Sequence, residues 1–144
     1  MTVIAWDGKM LAADKQATSS GLRVTCTKIR RAADGSLLAW TGDGAAGMLM
    51  ANWYDAGQKA DEYPKPQADK DEWARLVVIR GGKIHTYDRW PVLLTYEDKF
   101  MAFGSGRDFA LGAMSMGATA KEAVEIACRF ENGCGMGVDY MALE

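Results

Sequence analysis

The sequence predicts an α+β fold in which antiparallel sheets pack against helices in layers. Three observations predict it. Glycine turn dipeptides sit between paired apolar runs at three places, three stretches carry helical spacing, and strand-like and helical segments are interspersed along the chain. A length of 144 residues suits one core and is short for two, so a single domain over 1–144 is expected.

Residues 3–6 and 9–13 are apolar runs flanking Asp7-Gly8, a dipeptide suited to the two positive-φ positions of a type I′ hairpin turn. After the polar stretch 15–21, runs 22–32 and 36–41 flank Asp34-Gly35 and predict a second hairpin. Gly42-Asp43-Gly44 breaks that strand. Ala45, Met48, Leu49 and Trp53 then recur at helical spacing, which predicts a helix over 45–56. Residues 57–71 carry Pro64 and Pro66 among charged side chains and read as a connection with room for a helical turn. Runs 73–79 and 83–90 flank Gly81-Gly82, a third hairpin, and runs 92–96 and 100–103 continue the strand pattern. Gly104-Ser105-Gly106 opens a helix over 107–116, with Ser105 as its N-cap. Thr119 to Glu122 is a capping box, and the stripe of Ala120, Ala123, Val124, Ala127 and Cys128 behind it predicts the third helix. Residues 131–137 form a glycine-punctuated turn before a closing strand over 138–143.

Composition narrows the function. A formal net charge of -2 argues against nucleic acid as a partner, since the one dense basic cluster, Lys28, Arg30 and Arg31, is short and lies in a strand-like run. No apolar run approaches the roughly 20 residues that span a bilayer, so no membrane association is expected. The start of the chain lacks signal-peptide character, and three cysteines with no C-x-x-C pair suit a reducing compartment, so the expected location is cytoplasmic. The single histidine, His85, lies midway along a hairpin strand, where it reads as a surface or rim residue. A histidine-based triad or a histidine-rich metal site is therefore not expected, and no cofactor or metal is predicted. Gly42 to Gly47 matches G-x-G-x-x-G, yet hairpin-linked strands precede it and Asp43 would set a carboxylate where a pyrophosphate must sit. Those glycines read as a tight strand-to-helix turn.

One arrangement needs no histidine. A threonine at the start of a mature chain carries its own base, because an α-amino group has an ordinary pKa of about 7.7–8.0. A neighbouring lysine, paired with a carboxylate, would keep that amine neutral by like-charge repulsion. The sequence offers Thr2, available once Met1 is removed, with Lys28 and Asp14. On the residues alone, Lys28 also reads as a solvated strand lysine, Asp14 as a turn cap, Cys134 as a small buried hydrophobe and Trp40 as core.

The motifs Thr2-Val3-Ile4-Ala5, Leu11 to Thr18, Thr27-Lys28-Ile29, Gly42 to Ala46, Phe103 to Gly106 and Gly135 to Asp139 together resemble, in order and nearly end to end, those of proteasome β subunits and of HslV, the bacterial peptidase subunit. The resemblance implies a four-layer αββα sandwich of the N-terminal-nucleophile hydrolase type. It further implies Thr2 as nucleophile and base, Lys28 as the cation beside it, Asp14 as the lysine's partner, and the Gly42 amide facing the oxyanion. By the same resemblance Ser105 bonds near the threonine amine, Thr18 lines the cleft and pairs with extended substrate, and Trp40 floors a shallow specificity pocket. Where the family usually has an aspartate and a serine supporting the nucleophile, this chain has Glu131 and Cys134. A ring of identical subunits, a peptide or unfolded-protein substrate and a partner ATPase unfoldase are implied as well. Three function classes follow: a threonine peptidase, an amidase of the same chemistry acting on a small molecule, and a catalytically silent ring or scaffold subunit.

Overall fold

Asp7 closes the first hairpin by accepting from the Lys9 and Met10 amides, each at 2.8 Å, and so joins β1 (Ile4–Trp6) to β2 (Met10–Asp14). The structure is a computed structural model that describes residues 1–65 and 73–143. The expected strand over 22–32 is two strands. β4 (Leu22–Thr25) turns back on β3 (Gln16–Ser19), which lies within the stretch expected to be polar connection, and β5 (Ile29–Arg31) starts a different sheet. Ser20 and Gly21 carry φ of 50° and 81°, the positive pair of a tight hairpin turn, and this Ser-Gly signal is what the apolar-run reading overlooks.

β6 (Leu37–Gly42) leads through Asp43 into α1 (Gly44–Asp55). A short 3₁₀ turn at Ala60–Glu62 follows, and the rest of the expected connection, from residue 66, lies outside the described residues. β7 (Ala74–Arg80) and β8 (Lys83–Tyr87) form the third hairpin, with β9 (Leu94–Tyr96) beside β8. β10 (Met101–Phe103) crosses instead to the first sheet, next to β1. α2 (Arg107–Ser115), α3 (Ala120–Phe130) and β11 (Val138–Ala142) complete the chain. The capping box of α3 is present, with the Thr119 hydroxyl accepting from the Glu122 amide at 3.2 Å and the Glu122 carboxylate accepting from the Thr119 amide at 2.9 Å.

Two sheets result, ordered β10-β1-β2-β11 and β5-β6-β7-β8-β9, with β3-β4 as a separate hairpin. Strand alternation then sorts the core into three interiors. Ile4, Trp6, Leu11 and Ala13 meet Leu37, Ala39, Val77 and Ile79 between the sheets. Ala5 and Ala12 point the other way, onto the small residues Ala120, Ala123 and Ala127 of α3. Leu38, Leu76 and Val78 face α1, which buries Met50, Ala51, Trp53 and Tyr54 against them. The layers are therefore α2 and α3, sheet, sheet, α1: the αββα sandwich. Central strands covered on both faces read as continuous apolar runs, as β6 and β7 do. Among the described residues no helix is long and apolar enough to cross a membrane.

His85 is not at a rim. β9 covers β8, the ring is 7% exposed, and Nδ1 lies 2.9 Å from the Thr95 hydroxyl. Burial, reinforced by Arg80 and Lys83, holds its pKa below the ordinary 6.5. The neutral ring is thus the folded form, so its contribution to stability is complete above the unfolded value and is lost as pH falls through 6.5 toward the folded one. As the only histidine, it is expected to titrate in NMR with a midpoint below 6.5, and the urea midpoint of the wild type should fall more between about pH 7 and pH 5 than that of His85→Gln. An NMR midpoint at or above 6.5 would contradict this.

Candidate active site

β1 lies between β2 and β10, and that placement assembles the site. Pairing of Ile4 with Ala13 sets Val3 opposite Asp14 at the end of β2 and carries Thr2 beyond it, and the Val3 amide donates to Asp14 Oδ1 at 3.1 Å. On the other flank, pairing of Ile4 with Phe103 brings the turn after β10 beneath Thr2, where the Gly106 amide donates to the Thr2 carbonyl at 3.1 Å. Gly106, without a side-chain cap, is the N-cap of α2, so Ser105 is not the cap expected from the sequence. Its hydroxyl instead lies 3.3 Å from the Thr2 nitrogen.

Lys28 enters from the irregular link between β4 and β5 and is buried with Thr2 and Asp14. Its ammonium has three protons and three acceptors: Asp14 Oδ1 at 2.8 Å, Thr2 Oγ1 at 3.1 Å and the Met1 carbonyl at 3.4 Å. Asp14 is likewise complete. Oδ1 accepts from Lys28 and Val3, and Oδ2 from the amides of Gln16 at 3.3 Å and Gly135 at 3.1 Å. Because Lys28 donates to Thr2 Oγ1, the hydroxyl proton of Thr2 must point elsewhere, and the developing negative charge on that oxygen would already face a cation.

A cleft of about 520 Å³ opens over this cluster, lined among others by Thr2, Thr18, Lys28, Trp40, Gly42 and Trp73. Gly42 ends β6 at the cleft, and a Cβ there would run into the Trp73 carbonyl. Thr18 is exposed on β3, and Trp40, 6% exposed, lies against Gly47 in the first turn of α1. Asp43 caps α1 by accepting from the Ala46 amide at 2.9 Å, so a carboxylate already occupies that helix start.

The turn after α3 holds the remaining two residues. Cys134 is buried, its Sγ 3.9 Å from the Ser105 hydroxyl, and burial, with Asp14 nearby, pushes its thiol up to about 11, so it stands as a neutral thiol. Glu131 Oε1 accepts from the Gly133 amide at 3.1 Å, which places its carboxylate on the backbone of its own turn rather than on Thr2. Among the described residues no group of three His, Cys, Asp or Glu side chains offers a metal site. Gln16 and Trp73 also line the cleft without a role read from the sequence, as does Asp43, which the sequence marks only as the carboxylate that excludes a pyrophosphate. Gln16 follows Asp14 at strand spacing, a usable signal, whereas Trp73 carries none.

No protein-family model matches the sequence, and no curated protein matches it. Solved structures do. Thiobacillus denitrificans BPH in complex with Epoxomicin superposes with a TM-score of 0.72 at 22% identity over 100% of both chains. Thiobacillus denitrificans BPH superposes at 0.70, with 22% identity over 99% of this chain and 98% of that one. Eukaryotic HslV from Trypanosoma brucei does so at 0.69, with 22% identity over 98% and 97%. The chain has the HslV fold. Within the HslV fold described above, Thr2, Asp14, Lys28 and Ser105 meet at one end of the first sheet, while Gly42, Trp40 and Thr18 line the adjoining cleft.

Proposed function

We propose that the chain is a threonine peptidase whose nucleophile is Thr2 after removal of Met1. The observation that carries this reading is the buried contact of the Lys28 ammonium with both Thr2 Oγ1, at 3.1 Å, and Asp14, at 2.8 Å. In the proposed reaction the freed amine of Thr2 takes the hydroxyl proton, directly or through water, and Oγ1 attacks the peptide carbonyl. The tetrahedral oxyanion faces the Gly42 amide, a donor of a kind worth about 2.7–4 kcal/mol in other hydrolases. The amine returns the proton to the leaving nitrogen. An ester on Thr2 remains, and water releases it by the same route in reverse. Ser105 orients the amine, Cys134 and Glu131 support the turn beside it, and Thr18 pairs with extended substrate above the Trp40 floor. Likeness to the HslV fold supports a peptide or unfolded-protein substrate, a ring of identical subunits and an ATPase partner. Three unpaired thiols fit a reducing cytoplasm.

A peptide epoxyketone tests the central claim, because its ketone accepts the hydroxyl and its epoxide the amine of one and the same residue. Intact mass is expected to show loss of Met1 and one adduct per chain on the wild type, and none on Thr2→Val. An adduct without cleavage of any peptide or unfolded protein would favour an amidase acting on small molecules. Retained Met1 with no adduct would favour a silent ring subunit and would overturn the proposal.

A further inference from the structure

Gln16 is one of the few buried polar side chains, and it lies beside the nucleophile at the start of β3. A buried amide needs partners for its polar ends. Its Nε2 donates to the Asn132 carbonyl at 3.2 Å, and its Oε1 lies so near Gly135 that a Cβ there would come within 2.9 Å of it. The side chain thus holds the turn over 131–135 by one hydrogen bond and lies against it at Gly135. That turn sends two groups into the site, the Gly135 amide to Asp14 Oδ2 at 3.1 Å and Cys134 Sγ to within 3.9 Å of Ser105 Oγ, which in turn faces the Thr2 nitrogen. Other bonds steady the turn as well: the Gly133 and Cys134 amides donate to Glu131 within it, the Glu131 amide donates back to Ala127, and the Lys15 amide donates to the Gly135 carbonyl, which is backbone alone. Among the described contacts, only Gln16 reaches Asn132 from outside the turn with a side chain.

We propose that Gln16 is a positioning residue that sets the geometry of Asp14 and Ser105 around Thr2 by clamping this turn, an inference that rests on the threonine-peptidase reading. A neutral donor is required. The isosteric Gln16→Glu would set an acceptor against the Asn132 carbonyl and release the turn. In the full-length protein, kcat on a fluorogenic peptide and the rate of epoxyketone labelling are expected to fall together in Gln16→Glu by about tenfold to a hundredfold, the cost of a small misplacement at a reacting centre. KM should stay within about twofold, as for groups acting only on the transition state. If Gln16→Glu fails to fold, Gln16→Asn, whose donor falls short of Asn132, carries the same expectation. With the wild type labelled, an unchanged kcat in Gln16→Glu, or an effect confined to KM, would overturn the clamp alone, the latter because Gln16 would then be touching substrate. A wild type that is never labelled would overturn the clamp and the peptidase reading together.

Discussion

Replacing Lys28 with methionine is expected to lower the unfolding free energy by about 3–5 kcal/mol and to reduce turnover by about 10²–10⁴-fold. Both effects come from one pair. The side chains of Asp14 and Lys28 are 0% and 6% exposed, so without the ammonium a carboxylate is left in the interior without its counter-charge. The amides of Val3, Gln16 and Gly135 would still bond it, which places the loss toward the lower end of that range. Removing the charge as well separates the two effects. The double variant Lys28→Met/Asp14→Asn keeps an amide oxygen for the Gln16 and Gly135 amides while its NH2 faces the Val3 amide, so its urea midpoint should recover part of the way to the wild type while turnover stays lost. Equal urea midpoints for the single and double variants would mean that the stranded charge is not what destabilises the chain.

The same pair shows how far sequence reasoning reaches. Gly81 and Gly82, with φ of 60° and 77°, make the two-residue turn that their dipeptide predicts, and the Thr119 capping box specifies the start of α3; the first hairpin is also legible, but only Gly8 has positive φ there and the Asp7 carboxylate closes the turn in place of a type I′ geometry. The split of residues 22–32 is not legible from hydrophobicity. Cys26 to Lys28 leave the strand path there, and Lys28 turns inward to reach Asp14, a tertiary demand that no local pattern announces. Convergence of residues 2, 14, 28 and 105 depends on β1 lying between β2 and β10, a long-range pairing that the motif order implies only through family resemblance. Ser105 shows the limit most clearly. Its position before a helix reads as a cap, whereas the fold uses Gly106 there and turns the serine toward Thr2. The spacing of Gln16 after Asp14 places it near the site, but a single amide in a polar stretch gives no sign of the turn it meets more than a hundred residues later.

Gly104→Ala is expected to abolish labelling of Thr2 at a modest cost in stability, and the reason is packing as much as backbone conformation. Gly104 has φ of +92°, where a side chain costs about 1–3 kcal/mol of strain. A Cβ at this position would also run into the carbonyl carbon and oxygen of Thr2, and those atoms are held in place by the Gly106 amide. Thr2 or the turn must move, and either displacement breaks the register among Oγ1, Lys28 and Ser105, with an expected rate loss of about 10²-fold or more. Gly117 is the matching control. It has a similar φ of +98° but nothing within 4 Å of its would-be Cβ, so Gly117→Ala carries the strain without the collision. Both variants should lose stability in urea, Gly104→Ala the more by the cost of its collision, while only Gly104→Ala loses its reaction with the epoxyketone. Equal labelling rates for both would show that the tight passage beneath Thr2 does not set the position of the nucleophile.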